Sequence, residues 1–155
     1  MTLKYYPFDT DFVTSVRTGG PDANGQPAEQ AVSSGGATPC RYCLAHIPEG
    51  AAMLVLAARP FPELQPYAET GPIFLCADCA AWAGQGAPEI LTTSPDYLLK
   101  GYNSENRIVY GTGKIVPQVE LVPYAETLLS DPQIAYVDVR SSRNNCFLTR
   151  ITEKT

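Results

Sequence analysis

Apolar residues in this chain fall in short runs, cut apart by glycine and proline, and few stretches hold a helical period. Leu3 to Phe8 predicts a first strand. Asp9 to Val16 reads either as a short helix capped by Asp9 or Thr10 or as an extended continuation. Thr18 to Pro39 is rich in Gly, Pro, Ser, Asn and Ala, with Gly19-Gly20-Pro21, Asn24-Gly25 and Gly35-Gly36 as breakers. It predicts a long flexible surface loop, with at most a helical turn at Ala28 to Val32. Ala51 to Ala58 is a continuous apolar run closed by Pro60, which favours a buried central strand over a helix. Ile73 to Cys76 predicts a second buried strand after the Gly71-Pro72 break.

Further along, Ser94-Pro95 before Asp96-Tyr97-Leu98-Leu99 predicts a short helix, with Ser94 as N-cap and Pro95 in first position. Arg107 to Gly113 predicts a strand paired with Lys114 to Val116. Val122, Ala125, Leu128 and Leu129 share one helical face, and Pro123 fits only in the first turn of that helix. Ile134 to Val139 and Cys146 to Ile151 predict a closing hairpin across Ser141 to Asn145. The elements add up to an α+β fold. One domain over 1–155 is built around a mixed or mostly antiparallel sheet, with a few short helices and a knuckle-like four-cysteine cluster.

Composition narrows the partners. Charged residues are 17% and hydrophobic residues 45% of the 155, which excludes a disordered chain. Net charge is −5 at pH 7 and the eleven Lys and Arg are scattered singly. Nucleic-acid binding needs clustered basic residues, so it is disfavoured, as is an anionic membrane surface. No stretch approaches the roughly 20 apolar residues that span a bilayer. The opening Met1-Thr2-Leu3-Lys4-Tyr5-Tyr6-Pro7 lacks the apolar core of a secretory signal, so a cytoplasmic setting with reduced thiols is expected. The partner, a small molecule or a protein, is left open.

Two cysteine pairs carry the chemistry. Cys40-Arg41-Tyr42-Cys43 and Cys76-Ala77-Asp78-Cys79 each have the spacing that closes two thiolates on one metal ion. The gap of 32 residues, Leu44 to Leu75, exceeds the usual spacing of about 15–20 and must hold two strands. An odd total of five cysteines fits a closed disulfide framework poorly. Cys40, Cys43, Cys76 and Cys79 are therefore the expected ligands of one structural Zn2+. A full four-thiolate shell leaves no coordination position for water. His46, the only histidine, is a loop residue, a substitute ligand, or the sole candidate base for a cysteine nucleophile.

A second group could form a pocket. Pro66-Tyr67-Ala68-Glu69-Thr70-Gly71-Pro72 sets an aromatic, a carboxylate and a hydroxyl in a rigid loop. With Arg59, Arg140 and Cys146 it predicts a site for a small anion or polar metabolite, or an enzymatic cleft. The plain alternative is a Pro-Gly turn in which Glu69 pairs with an arginine for loop structure. Cys146 is either a thiol activated by Arg140 or a small buried hydrophobe.

Several stretches resemble the bacterial family called domain of unknown function 1203. They are Cys40-Arg41-Tyr42-Cys43-Leu44, the Ala52 to Pro60 strand, Tyr67-Ala68-Glu69-Thr70-Gly71-Pro72-Ile73-Phe74, and Tyr136-Val137-Asp138-Val139-Arg140 with Asn145-Cys146-Phe147-Leu148. The similarity runs from about Cys40 to Ile151. It implies a small, soluble, single-domain bacterial protein of mixed α and β structure, and no activity comes with it. Within that pattern the Cys40–Cys43 pair, the Tyr67–Gly71 loop and the Arg140–Cys146 region form the signature, while the Cys76–Cys79 pair is less typical. The leading reading is a non-enzymatic, zinc-stabilised protein. The alternatives are the pocket of Arg59, Tyr67, Glu69, Arg140 and Cys146, or thiol–disulfide redox work by Cys40 and Cys43.

Overall fold

A computed structural model describes residues 1–153; positions 154 and 155, the end of the expected single-domain span, lie outside the described residues. In chain order the elements are β1 Leu3–Tyr6, α1 Thr10–Arg17, β2 Glu29–Val32, β3 Ala52–Ala58, β4 Gly71–Cys76, β5 Asp96–Tyr102, β6 Lys114–Pro117, α2 Leu121–Leu129, β7 Tyr136–Ser141 and β8 Phe147–Glu153. The fold is α+β, and its strands form two antiparallel sheets. One has the order β1-β8-β7-β5-β6 and the other β2-β3-β4. No helix among the described residues is long and apolar enough to cross a membrane.

Each sheet has its own core. On the larger sheet, Tyr97, Leu99, Val137, Val139 and Ile151 point to one face, where Leu121, Ala125 and Leu128 of α2 cover them. Ala125 and Leu128 are two of the four positions expected on this face; Val122 and Leu129 pack against it half-buried, and Leu121 is buried in their company. Pro123 sits in the first turn, where its missing N–H has no intrahelical acceptor. On the smaller sheet, Met53, Leu54, Leu56, Ile73 and Leu75 pack with Val13 and Val16 of α1. Asp9 caps α1 by accepting from the Phe12 amide at 3.1 Å, which decides the Asp9–Val16 ambiguity for the helix. The expected central strand is β3, hydrogen-bonded on both sides. The closing hairpin is β7–β8.

Three expectations are corrected. Ser94 to Leu99 is not a helix: β5 begins at Asp96 and runs between β6 and β7. The Tyr97 hydroxyl accepts from the Thr93 and Ser94 amides and donates to the Ile90 carbonyl, which ties the turn before β5 to that strand. Ladders on both edges then outweigh the local cap signal. Arg107 to Gly113 is not a strand, since Asn106 (φ 63°) and Gly111 (φ 91°) turn the chain. Ile108 makes one isolated bridge to Tyr102, and β6 pairs with β5 in its place. Ala28 to Val32 is not a helical turn, because Glu29 to Val32 pairs along β3.

The rest of the 18–39 segment has its own anchor. Asp22 accepts from the Asn24 and Gln26 amides and, through its other oxygen, from the Ala57 amide of β3 at 2.9 Å. These amides, that of Ala57 foremost, hold the Asp22 carboxyl below its ordinary 3.8. A carboxyl whose folded value is depressed stabilises the fold above its unfolded value and loses that effect as the proton returns. The melting-temperature gap between the native protein and Asp22→Ala should therefore be full above about pH 4 and shrink as pH falls below it. A gap that persists unchanged at pH 2.5 would contradict the role given to the carboxylate.

Candidate metal centre

The two cysteine pairs meet because two loops approach the same end of the smaller sheet. Cys40 runs beside β4 as a parallel bridge to Phe74, and the chain then turns back on itself. In that turn the Leu44 amide donates to the Cys40 carbonyl and the Cys40 amide to the Ala45 carbonyl. Leu44 takes a left-handed conformation (φ 57°), which costs a non-glycine residue on the order of 1–2 kcal/mol. Its side chain is fully buried in the larger core, which offsets that strain. Cys76 ends β4 and Cys79 follows one turn later.

All four sulfurs lie within 4.8 Å of one another. The Cys40–Cys79 and Cys43–Cys76 Sγ–Sγ distances are both 3.8 Å. A tetrahedron with metal–sulfur bonds near 2.3 Å has an edge of about 3.8 Å. A disulfide would need about 2.05 Å, and all the cysteines are free. The four sulfurs are thus spaced so that they could hold one metal ion.

Backbone and guanidinium groups already turn toward these sulfurs. The Tyr42 and Cys76 amides donate to Cys40 Sγ at 3.4 and 3.3 Å. With the Cys43 thiol also donating to it, the Cys40 thiol is held down at about 4. The same bond, with burial, pushes Cys43 up. Burial and the adjacent Cys40 charge push Cys76 up to about 12. Arg17, at the end of α1, clamps the second pair. It donates to the Cys76 carbonyl at 2.9 Å, the Cys79 carbonyl at 3.1 Å and Cys79 Sγ at 3.1 Å. Arg41 is only 3% exposed and donates to the Pro39 and Phe147 carbonyls. Burial pushes its guanidinium down to about 10, and the thiols of Cys146 and Cys40 act against that shift. Neither Arg17 nor Arg41 has a carboxylate partner among the described residues.

The comparison with known families falls on the same part of the chain. The family described as Protein of unknown function (DUF1203) matches residues 37–153. The chain belongs to this family. The match takes in both cysteine pairs and all but the first two strands and the first helix. No curated protein and no solved structure matches this DUF1203 chain.

The other expected site residues are only partly gathered. Glu69, Arg140 and Cys146 line one cavity of about 490 Å³. Arg59 lines a neighbouring cavity that shares Pro60 and Phe147 with the first. Tyr67 lines neither; its hydroxyl pairs with that of Tyr110 at 2.8 Å, and Arg107 lies over its ring. Glu69 holds Arg140 at 3.2 Å and Lys100 at 3.9 Å, which is the loop-structure role. Cys146 is half-buried in the β7–β8 turn, its Sγ 3.7 Å from the Asn144 carbonyl. His46 stands apart from the sulfurs and pairs with Thr93 at 2.7 Å.

Sequence reasoning missed four residues. Arg17 and Arg41 carry no local signal of their role, although Arg41 sits inside a cysteine pair. Asp138, fully buried, and Arg150, half-buried, form an ion pair at 2.7 and 3.0 Å on the face of β7–β8 away from α2. Their alternation with Val137, Val139 and Ile151 reads as an ordinary solvent face. The segment from Pro60 to Glu69 covers that face, and Arg150 donates to the Pro60 carbonyl at 2.8 Å.

Proposed function

We propose that Cys40, Cys43, Cys76 and Cys79 bind one zinc ion, and that the ion holds the two loops together without taking part in catalysis. The observation that carries this reading is the sulfur geometry, with two opposite edges at 3.8 Å and every pair within 4.8 Å. An all-thiolate tetrahedral shell is the donor set of structural zinc, and it leaves no place for water or substrate.

Charge supports the same reading. A dication on four thiolates carries a net charge of −2. The Arg17 guanidinium bonds to Cys79 Sγ and has no carboxylate to balance it among the described residues. A buried cation without an anion is costly, and a metal–thiolate dianion removes that cost. The redox alternative draws less support. Cys40 is fully buried, whereas an exchanging thiol must be reached by its partner.

The test is elemental mass spectrometry with thiol titration on protein purified without chelator. About one zinc per chain is expected, with Cys146 alone reacting quickly. No bound metal and five reactive thiols would overturn the proposal. Arg17→Ala should then weaken zinc retention by about 10–100-fold against a chelating dye, the usual effect of losing a group that bonds to a metal ligand.

A further inference from the structure

The cavity that holds Arg59 shares no residue with the cysteine cluster. It opens at the β1–β8 edge of the larger sheet, between the start of α1 and the Arg59–Pro62 segment. Its volume, about 490 Å³, lies within the range of small-molecule sites, about 300–1,000 Å³. The walls are aromatic. Phe8 meets Phe147 edge-on at 5.6 Å and Phe12 at 5.9 Å, and Phe61 closes the far side. Phe8 and Phe12 stay half-buried although nothing in their chemistry favours water.

Two cations and one anion also line the cavity, and their bonding separates them. Arg150 is spent on Asp138 and the Pro60 carbonyl, and its guanidinium serves as a flat wall against Phe61 and Phe147. Asp9 is spent on the α1 cap. Arg59 uses only Nε, toward the Phe61 carbonyl at 3.1 Å. Its two terminal nitrogens have no partner among the described residues, and no carboxylate lies within ion-pair distance. A planar fork of donors at the mouth of an aromatic cleft suits a carboxylate on a flat apolar body.

We infer that this cleft binds a small aromatic carboxylic acid, with the ring among Phe8, Phe12, Phe61 and Phe147 and the carboxylate on Arg59. No covalent step is involved. The test uses indole-3-acetate and 1-naphthoate, each beside its neutral amide, titrated into the full chain by calorimetry. Saturable binding of at least one acid is expected, with its amide about tenfold weaker. Arg59→Ala should weaken the acid by about tenfold and the amide much less, with the melting temperature within a few degrees of the native protein, and Arg59→Lys should recover part of the loss. No saturable binding of either acid at millimolar concentration would overturn the inference. So would equal affinity for acid and amide, or an Arg59→Ala variant that binds the acid as the native protein does. Because the cleft shares no residue with the cysteines, a protein found without zinc leaves this test standing.

Discussion

Cys76→Ala is expected to purify with almost no zinc and to melt at least 10 °C below the native protein. The size follows from what the ion does. The metal site is absent in the unfolded chain, so the free energy of binding enters the folding equilibrium almost whole. Losing one thiolate leaves a three-sulfur shell open to water and leaves Arg17 bonded to a weaker anion. A loss of several kcal/mol is expected, and in a chain of 155 residues each kcal/mol moves the midpoint by about 2–4 °C. Truncating a small buried side chain explains only about 1–2 kcal/mol. The discriminating control is Cys146→Ala, which removes a thiol outside the cluster and should cost neither zinc nor more than a degree or two. Unchanged melting of Cys76→Ala would sink the structural role of the ion.

Asp138→Asn should cost about 3–5 kcal/mol and leave zinc content untouched. Asp138 is fully buried, and its carboxylate takes both branches of the Arg150 guanidinium. Burial pushes the carboxyl up from its ordinary value, and the contact with Arg150 works against that. The amide keeps the shape but not the charge, so Arg150 is left as an unpaired cation between Tyr136 and Phe61. Removing both charges in Asp138→Asn with Arg150→Met should recover a large part of the loss, because the penalty lies in the stranded charge. A single-variant loss under about 1 kcal/mol in urea unfolding would show that the pair is not held dry. Together the two substitutions separate metal-dependent from metal-independent stability.

How much of this could be read in advance differs from element to element. The cysteine cluster was legible because a knuckle is a local pattern. Two C-x-x-C pairs announce four sulfurs, and the fold had only to bring β4 beside the Cys40 loop. α2 and the β7–β8 hairpin were legible for a like reason, since their periods of 3.6 and 2 survive in the sequence. β5 was misread because Ser94-Pro95 carries a true local signal that two neighbouring ladders override. The five expected pocket residues were legible only in part. Arg59, Tyr67, Glu69, Arg140 and Cys146 are the right kinds of residue, but no spacing rule says which side of Pro60 and Phe147 each will face. Asp138 and Arg150 were hidden because burial of a polar strand face depends on a distant loop, whose Pro60 lies 90 residues before Arg150.

The ligands sit at both ends of the segment 40–79, and that placement bears on how the protein meets its surroundings. An ion that binds only the folded chain shifts folding by mass action. Well above the dissociation constant, each tenfold rise in the free concentration of a bound ion adds about 1.4 kcal/mol to stability, and well below it the ion adds little. With zinc bound as proposed, the folded fraction would vary with zinc supply as well as with temperature, and one polypeptide would be robust in a zinc-replete compartment and prone to degradation in a starved one.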